Sequence, residues 1–207
     1  LQAARRGGAL THDLRAFNQR PAPPEEILDP NELVGKVAAL LSRTLPAKTM
    51  IVTDLDPEAR SLQGDRQELE QALTSLAMNA HEAMPEGGRI TLGTQNVAGA
   101  DPLDSPPGPQ GHACQGMRWG ADTGHGIDPE SRDRIFEPFF STKAGRKGAG
   151  LGLSSVYAIV QRHDGAITFE TDPELGTTFR ILCPTVTPRP GSTSLWEARP
   201  LSSIHAD

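Results

Sequence analysis

Cysteine, aromatic residues and long apolar runs are all scarce in this chain of 207 residues. The two cysteines, Cys114 and Cys183, cannot form a disulfide framework and fit a reducing compartment. No apolar run approaches the roughly 20 residues of a membrane span, and no signal peptide opens the chain. Because aromatic residues make up only 4% of the chain, Leu, Val, Ile and Ala must build the core.

An excess of basic charge is also missing. The formal net charge is −6, which argues against a nucleic-acid surface and predicts that any phosphate binding comes from a local site. Apolar residues make up 36% and glycine contributes 21 residues, so the composition is that of a globular domain. The length suits one domain of ordinary size with appendages. The chain begins with Leu, which we interpret as the start of a fragment of a longer protein.

Proline, by contrast, is abundant, with 18 residues, and most of them fall in three clusters. Such clusters exclude helix and central strand. They predict a linker at 21–30, a long loop within 97–116 and a disordered tail at 185–207. A globular domain would then occupy 31–184, preceded by a helical segment at 1–20.

Periodicity between the clusters predicts a mixture of helices and strands. Asp29 or Asn31 can cap the first helix of the domain, and Asp65 can cap the second. The predicted helices are 31–45, 65–84, 129–136 and 151–162, and the predicted strands are 49–55, 89–96, 117–121, 166–171 and 177–182. This order predicts an α/β (α+β) two-layer sandwich, in which one mixed sheet is covered by helices on one face.

Asn79 stands out in the second helix, where it lies among Ala and Met residues although a short amide is a mediocre helix former. An amide oxygen at this position can coordinate Mg²⁺, a hard cation that also binds phosphate oxygens. The alternative is an ordinary Asn on the helix surface.

A second stretch, Asp122-Thr-Gly-His-Gly-Ile127, follows a predicted strand directly. Its two glycines allow tight backbone turns and the close approach of a ligand. A carboxylate at the end of the strand can accept a hydrogen bond from an exocyclic amine. The alternative is a plain Asp-Thr-Gly turn, which is common.

A third stretch, Gly145-Arg-Lys-Gly-Ala-Gly-Leu-Gly-Leu-Ser154, runs straight into a helix. Its alternating glycines expose backbone N–H groups next to the partial positive charge of a helix N-terminus, which suits phosphate. It is neither a Walker loop nor a dinucleotide fingerprint, because the spacing of both differs. The alternative is a flexible glycine-rich loop. A fourth stretch, Gly176-Thr-Thr-Phe179, indicates only a hairpin when taken alone.

The order of these stretches, together with Phe136-Glu-Pro-Phe-Phe-Ser-Thr-Lys143, is far more specific than any one of them. It closely resembles the catalytic ATP-binding domain of two-component sensor histidine kinases, within the GHKL ATPase superfamily that includes DNA gyrase. The resemblance covers about residues 29–184. It implies the Bergerat (GHKL) fold, which agrees with the predicted sandwich.

The resemblance implies a role for each matching residue. Asn79 would hold Mg²⁺ between the ATP phosphates, and Asp122 would accept the adenine amino group, with support from Thr177. Gly124 and Gly126 would let the backbone close around the adenine. The phosphates would lie against the glycine-rich loop and its flanks, formed by Gly148, Gly150, Leu151, Gly152 and Leu153.

By the same resemblance, the stretch from Gly126 to about Gly148 would be a mobile ATP lid. Phe136, Phe139 and Phe140 would be its hydrophobic staples. Phe140 and Thr142 would also contact the nucleotide. Either Lys143 or Lys147 could neutralise the terminal phosphates, and both are kept as catalytic candidates. The pair His81 and Glu82, past the Mg²⁺ position, is expected on the exposed side of its helix.

The implied reaction is phosphoryl transfer from ATP to a histidine on a dimerisation hairpin, as in a two-component phosphorelay, with a receiver domain of a response regulator as the next partner. The full-length protein is expected to be a homodimer through this hairpin. The expected place is the cytoplasm, either as a free protein or as the cytoplasmic part of a membrane-anchored sensor, with no membrane contact from this stretch. Thr11-His-Asp-Leu-Arg15 looks superficially like a histidine box. Only eight residues separate His12 from Pro21, so we interpret 1–20 as the end of the hairpin's second helix, with the acceptor outside the chain.

Two positions depart from the family pattern. Ser75 stands one helical turn before Asn79. At the position of Ser75 the kinases often have Asn and the related ATPases an acidic residue, so the serine argues against vigorous ATP hydrolysis. Gly120 is a poor residue for the strand before Asp122. Two other functions stay open. One is a serine kinase of the anti-sigma type within the same superfamily. The other, suggested by Ser75 and the missing acceptor, is a nucleotide-binding interaction module that has lost phosphotransfer.

Overall fold

The computed structural model describes residues 26–97, 114–142, 150–172 and 175–186, and for 114–121 it describes the backbone alone. The α-helices are α1 (Pro30–Thr44), α2 (Arg66–Ala83) and α3 (Gly152–Arg162), and a 3-10 helix covers Pro129–Arg134. The strands are β1 (Glu26–Leu28), β2 (Thr49–Asp54), β3 (Leu62–Gly64), β4 (Gly88–Gly93), β5 (Gln95–Asn96), β6 (Cys114–Asp122), β7 (Ala166–Asp172) and β8 (Gly176–Pro184).

The main sheet has the strand order β2-β4-β6-β8-β7, with β5 also paired to β6. Strand β2 runs parallel to β4, whereas the β4–β6, β6–β8 and β7–β8 pairs are antiparallel. The predicted mixed sheet is therefore confirmed. Its parallel pair is joined through β3 and α2, which is the crossover that parallel pairing needs.

All three helices pack on one face of this sheet. Ile90, Leu92 and Ile181 are fully buried and share one core with the apolar stripes of the helices. Successive strand residues point to opposite faces, and on the other face Met50 is 57% exposed. The two-layer sandwich is thus confirmed, and the site at the end of β6 lies on the helical side.

The helices begin where the capping residues predict. The Asp29 carboxylate accepts the N–H of Asn31 at 2.8 Å, and Pro30 takes the first helical position, where a missing N–H costs nothing. The Asp65 carboxylate accepts the N–H groups of Gln67 and Glu68 at the start of α2. Asp29 rather than Asn31 is therefore the cap of α1, because only its side chain reaches the free N–H groups of the first turn.

The predicted linker at 21–30 was wrong at its end. Glu26–Leu28 forms β1, which pairs with β3 in a separate two-stranded sheet, and Leu28 is fully buried. The proline cluster favoured a linker at this point. The three-residue strand could not be predicted, because its pairing partner at Leu62–Gly64 is distant in sequence and also short. Thr185, placed in the tail, forms a bridge with Leu62.

Strand β6 is longer than predicted and starts at Cys114, inside the segment that proline content assigned to a loop. Its pairing shifts between Trp119 and Ala121, so Gly120 lies at a bulge-type irregularity. Glycine is suited to such a position, which explains a poor strand residue within a strand. The segments 1–25 and 187–207, with the predicted helix and most of the tail, lie outside the described residues.

Candidate nucleotide-binding site

Asp122 is the last residue of β6 and is only 4% exposed. Its Oδ1 accepts two backbone N–H groups, from Gly124 at 2.9 Å and from Thr177 at 3.1 Å. Within the described residues, neither hydrogen bond uses Oδ2. The carboxylate is thus oriented by the chain and keeps an oxygen with which to accept a donor from a ligand.

Burial raises the pKa of the Asp122 carboxyl above its ordinary value, since a charge is disfavoured away from water. The two backbone N–H groups and the nearby His125 oppose this rise. A buried acceptor with a perturbed pKa is typical of a functional site.

Glycines surround Asp122 at the points where the chain comes closest. A Cβ on Gly176, where φ is +90°, would fall 1.8 Å from the Asp122 carbonyl oxygen. A Cβ on Gly124 would fall 2.8 Å from the carbonyl oxygen of Ala83, the last residue of α2. The backbone therefore closes tightly around the carboxylate and brings the end of α2 against it.

A threonine pair joins this pocket to β7. The Thr177 hydroxyl lies 3.1 Å from the Thr171 hydroxyl, and Thr171 accepts the N–H of Ile127 at 2.7 Å. Gly126 has a φ of +69°, and a Cβ there would meet the Asp172 carbonyl at 2.7 Å. Thr171 is a pocket residue that the sequence reasoning missed, because nothing but its partner across the hairpin distinguishes it.

Asn79 lies one helical turn before the Asp122 pocket and faces the start of α3. A Cβ on Gly152 would lie 3.4 Å from Asn79 Nδ2 and 3.5 Å from Asn79 Oδ1. Within the described residues, Nδ2 is buried without a hydrogen-bond partner. An unpaired buried donor is costly and calls for an acceptor such as a phosphate oxygen. Asn79 is therefore not an ordinary surface residue.

The start of α3 has no side-chain cap. Its cap position, Leu151, makes no side-chain hydrogen bond to the first turn, so no described side chain caps the N–H groups there. Ser75, a second residue that sequence reasoning had not linked to this loop, donates from its hydroxyl to the Gly152 carbonyl at 3.3 Å. Gly150 has a φ of +66°, and its carbonyl accepts the N–H of Phe139 at 2.9 Å.

The three lid phenylalanines have different surroundings. Phe136 packs against Phe169 and Tyr157, with ring centroids 6.1 and 5.5 Å away. Phe140 lies under the guanidinium of Arg134, at 4.5 Å from the ring centroid. Phe139 is 74% exposed and has a φ of +67°, so its side chain points away from the core.

Some predicted residues do not converge on the pocket. Thr142 is exposed, and Leu153 packs against the hydrophobic core. Lys143, Lys147 and Gly148 lie outside the described residues, so their roles stay predictions. The expectation for His81 was wrong. Its ring is half-buried and lies 2.9 Å from the Thr49 hydroxyl on β2, whereas Glu82 is exposed.

The residues around Asn79 fit Mg²⁺ that is held mainly by phosphate. Within the described ranges there is no group of three or more His, Cys, Asp or Glu that could hold a metal ion. Mg²⁺ needs no such cage, because it keeps several waters and binds one or two protein oxygens plus substrate phosphates. Asn79 Oδ1, which faces Gly152 at the start of α3, is one such protein oxygen.

The fold and site define an α/β-sandwich domain in which a buried carboxylate and a glycine-rich helix start face the same helix. Residues 64–187 match the family described as histidine kinase-, DNA gyrase B-, and HSP90-like ATPase. The chain belongs to this family, and ATP is therefore its ligand.

Similar proteins point to one branch of this family. The chain is 37% identical over 183 residues to sensor kinase CckA of Brucella abortus, covering 88% of this chain and 19% of the relative. It is 32% identical over 161 residues to sporulation kinase A of Bacillus subtilis, covering 77% and 24%. The chain thus spans a fifth to a quarter of the length of these two relatives.

Solved structures agree with this likeness. The catalytic domain of the histidine kinase ThkA superposes with a TM-score of 0.63 at 27% identity, covering 78% of this chain and 95% of that one. Full-length ShkA, solved in complex with AMPPNP, superposes with a TM-score of 0.66 at 27% identity, covering 83% and 34%. The chain is thus the catalytic ATP-binding domain of a sensor histidine kinase. None of its described helices is long and apolar enough to cross a membrane.

Proposed function

We propose that this domain binds Mg²⁺–ATP and presents the γ-phosphoryl group to a histidine on the dimerisation hairpin of its parent protein. The observation that carries the proposal is the alignment of two sites along α2. The Asp122 pocket lies against the end of the helix, and Asn79 lies one turn earlier, against Gly152. A nucleotide with its base at Asp122 would extend its phosphates toward the start of α3.

Asp122 would read the base. With Oδ1 held by the Gly124 and Thr177 N–H groups, Oδ2 would accept the exocyclic amine of adenine. Guanine carries an oxygen at the equivalent position, which would face the carboxylate with acceptor against acceptor. The pocket therefore favours ATP over GTP.

Asn79 and the α3 N-terminus would position the phosphates. Asn79 would supply an amide oxygen to Mg²⁺, which neutralises phosphate charge when bound, and the backbone N–H groups at the start of α3 would donate to phosphate oxygens. Either Lys143 or Lys147 would add a positive charge. Such positioning and charge neutralisation are the main contributions that proteins make to phosphoryl transfer.

The proposal extends to partners and place. The phosphoryl group would pass from the hairpin histidine, outside this chain, to a receiver domain of a response regulator. ThkA, which shares the fold, has been solved in complex with the response regulator protein TrrA. The cytoplasm is the proposed compartment, because ATP is abundant there and the two cysteines fit a reducing environment.

Calorimetric titration of the chain with Mg²⁺–ATP and, as a control, Mg²⁺–GTP tests the binding step. We expect binding of ATP with clear preference over GTP, and Asn79→Ala should remove the Mg²⁺ dependence while the fold stays intact. Binding of neither nucleotide would contradict the proposal.

Incubation of the parent protein with γ-labelled ATP tests the transfer step. We expect an acid-labile, alkali-stable phosphoryl adduct, which is the behaviour of phosphohistidine. An acid-stable adduct would instead indicate a serine kinase. ATP binding with no adduct would support the interaction module that Ser75 leaves open.

A further inference from the structure

Helices α2 and α3 run antiparallel, and their contacts differ at the two ends. At one end, the first residue of α3, Gly152, lies against Ser75 and Asn79 of α2. At the other end, the last residues of α3 reach the start of α2 through polar contacts. The two α2 positions Glu68 and Asn79 are 11 residues apart, or about 16 Å along a helix, which is also about the length of α3.

The first polar contact is an ion pair between Arg162 and Glu68. Arg162 Nη2 lies 2.9 Å from Glu68 Oε1, and Arg162 Nε lies 3.2 Å from Oε2, so the pair is bidentate. The two side chains are only 12% and 16% exposed. A planar bidentate pair fixes both distance and orientation, which a single contact between flexible chains does not.

The second contact is made by His163, which is 6% exposed and directly follows α3. Its Nε2 accepts the backbone N–H of Asp65 at 3.0 Å, so the proton is on Nδ1, which donates to the Ile159 carbonyl at 2.8 Å. Gly64 leaves room for the ring, because a Cβ there would fall 2.4 Å from His163 Cδ2.

We propose that Arg162, Glu68 and His163 form a clamp that sets the axial position of α3 on α2 and thereby tunes the affinity of the site for the phosphates of the nucleotide. The inference rests on the proposed function. The apolar side chains of α3 that enter the core, Val156, Ile159 and Val160, favour burial but impose little direction along the helix axis. The clamp supplies that direction, about 15 Å from the residues it positions.

Arg162, Glu68 and His163 are positioning residues. They lie at the C-terminal end of α3, whereas the part of the site that α3 contributes, Gly152, lies at its N-terminal end. A shift of α3 along its axis would move Gly152 relative to Asn79, and only ligands with phosphates would be affected. The Asp122 pocket is built from β6, β8 and the end of α2, so the base would be read as before.

The test measures the dissociation constants of ATP and of adenosine for the chain, by calorimetry and by NMR titration of the Thr177 and Gly124 amides. Arg162→Met removes the guanidinium but keeps the side-chain length. We expect an increase of about tenfold in the ATP constant and less than a twofold change for adenosine. Arg162→Lys should recover part of the ATP affinity, since it restores the charge but not the bidentate geometry.

Arg180→Met is the matched control. It breaks a second bidentate pair, Arg180 with Glu170, which lies on β8 and β7 and is exposed. Both dissociation constants should stay unchanged in this variant. Glu68→Gln is the milder alternative should Arg162→Met fail to fold, and its expected change has the same sign.

All measurements are made where circular dichroism shows each variant folded, since breaking a half-buried pair also lowers stability. Equal losses for ATP and adenosine, or an unchanged ATP constant in folded Arg162→Met, would overturn the clamp. Failure of the unsubstituted chain to bind ATP would instead overturn the proposed function, and the clamp with it.

Discussion

Asp122 and Asp56 make similar contacts in two regions of the molecule, and their pKa values move in opposite directions. Each carboxylate accepts two backbone N–H groups. Burial dominates at Asp122 and raises its pKa, whereas at Asp56 the N–H groups of Glu58 and Asn96 dominate and lower it. With similar backbone donors, the negative charge is therefore disfavoured at Asp122 in the buried pocket and favoured at Asp56 on the loop.

The Asp56 region shows what a satisfied network looks like. Asn96 Nδ2 donates to Asp56 Oδ2 at 3.0 Å, and the Asp56 N–H donates to the Thr94 hydroxyl at 2.9 Å. That hydroxyl donates to Asn31, whose own Nδ2 returns to the Asp56 carbonyl at 2.9 Å. Both carboxylate oxygens are used, in contrast to Asp122, where one is kept. Asp56, with both oxygens accepting hydrogen bonds, stabilises its loop, whereas Asp122 keeps one oxygen that can accept a hydrogen bond from a ligand.

The largest effect is expected from a substitution that disrupts the backbone around the Asp122 pocket. Gly176→Ala would place a Cβ 1.8 Å from the Asp122 carbonyl oxygen at a φ of +90°. We expect a loss of about 3 kcal/mol or more in the free energy of unfolding, measured in urea, because backbone on both sides must move. Gly35→Ala is the control, since a Cβ there meets nothing within 4 Å and should stabilise α1. A loss below about 1 kcal/mol for Gly176→Ala would contradict the tight closure.

The next effect separates the two aspartates by function. Asp122→Asn replaces an acceptor with a group that also presents donors to the adenine amine, so the dissociation constant for ATP should rise about 10- to 100-fold. Asp56→Asn should leave it unchanged, because Asp56 serves the loop. Equal affinities in calorimetry for the unsubstituted chain and Asp122→Asn would refute the base-reading role.

A smaller effect is expected from Asn96→Ala, which should destabilise only the loop around Asp56. Asn96→Ala removes the side chain that accepts the Arg60 N–H and donates to Asp56 and to the Glu58 carbonyl. We expect about 1 kcal/mol of lost stability and faster hydrogen exchange at the Glu58 amide, with unchanged ATP affinity. Altered nucleotide affinity would show that the two regions are coupled.

The smallest effect is the opposite pH dependence of the two groups. Asp122 has a raised pKa, so the folded state holds its proton longer, and stability should fall as pH rises from the unfolded value to the folded one. Asp56 has a lowered pKa, so stability should rise with pH from its folded value up to the unfolded one. Urea unfolding against pH should show each slope flattened by the matching Asn variant. If the contributions of Asp122 and Asp56 to the pH dependence of stability had the same sign, the prediction of opposite pKa shifts would be contradicted.

Much of the fold was predictable because its signals are local. The capping aspartates, the apolar stripe of α2 and the alternation in β7 and β8 each act over a few residues, and all matched the structure to within a few residues. The short strands β1 and β3 were missed, because their stability comes from pairing across the chain. The start of β6 was missed because its neighbour β8 overrides a proline-rich context.

The candidate site divides in the same way. Asn79, Asp122 and the glycines are marked in the sequence, because residue type and spacing restrict what such stretches can do. Thr171, Glu68, Arg162 and His163 carry no such mark, since their roles depend on partners 6 to 98 residues away. A threonine in a hairpin or an Arg–Glu pair has many ordinary places in a protein.

By itself, the sequence determined the class of fold, the family and the order of the elements that carry the nucleotide site, because periodicity, capping and glycine spacing are properties of neighbouring residues. Tertiary structure alone decided which oxygen of Asp122 is left for a ligand, that Asn79 Nδ2 is buried with no hydrogen-bond partner among the described residues, and that α3 is tied to α2 at its far end. Those properties depend on burial and on hydrogen bonds between distant segments, and both exist only once the chain has packed.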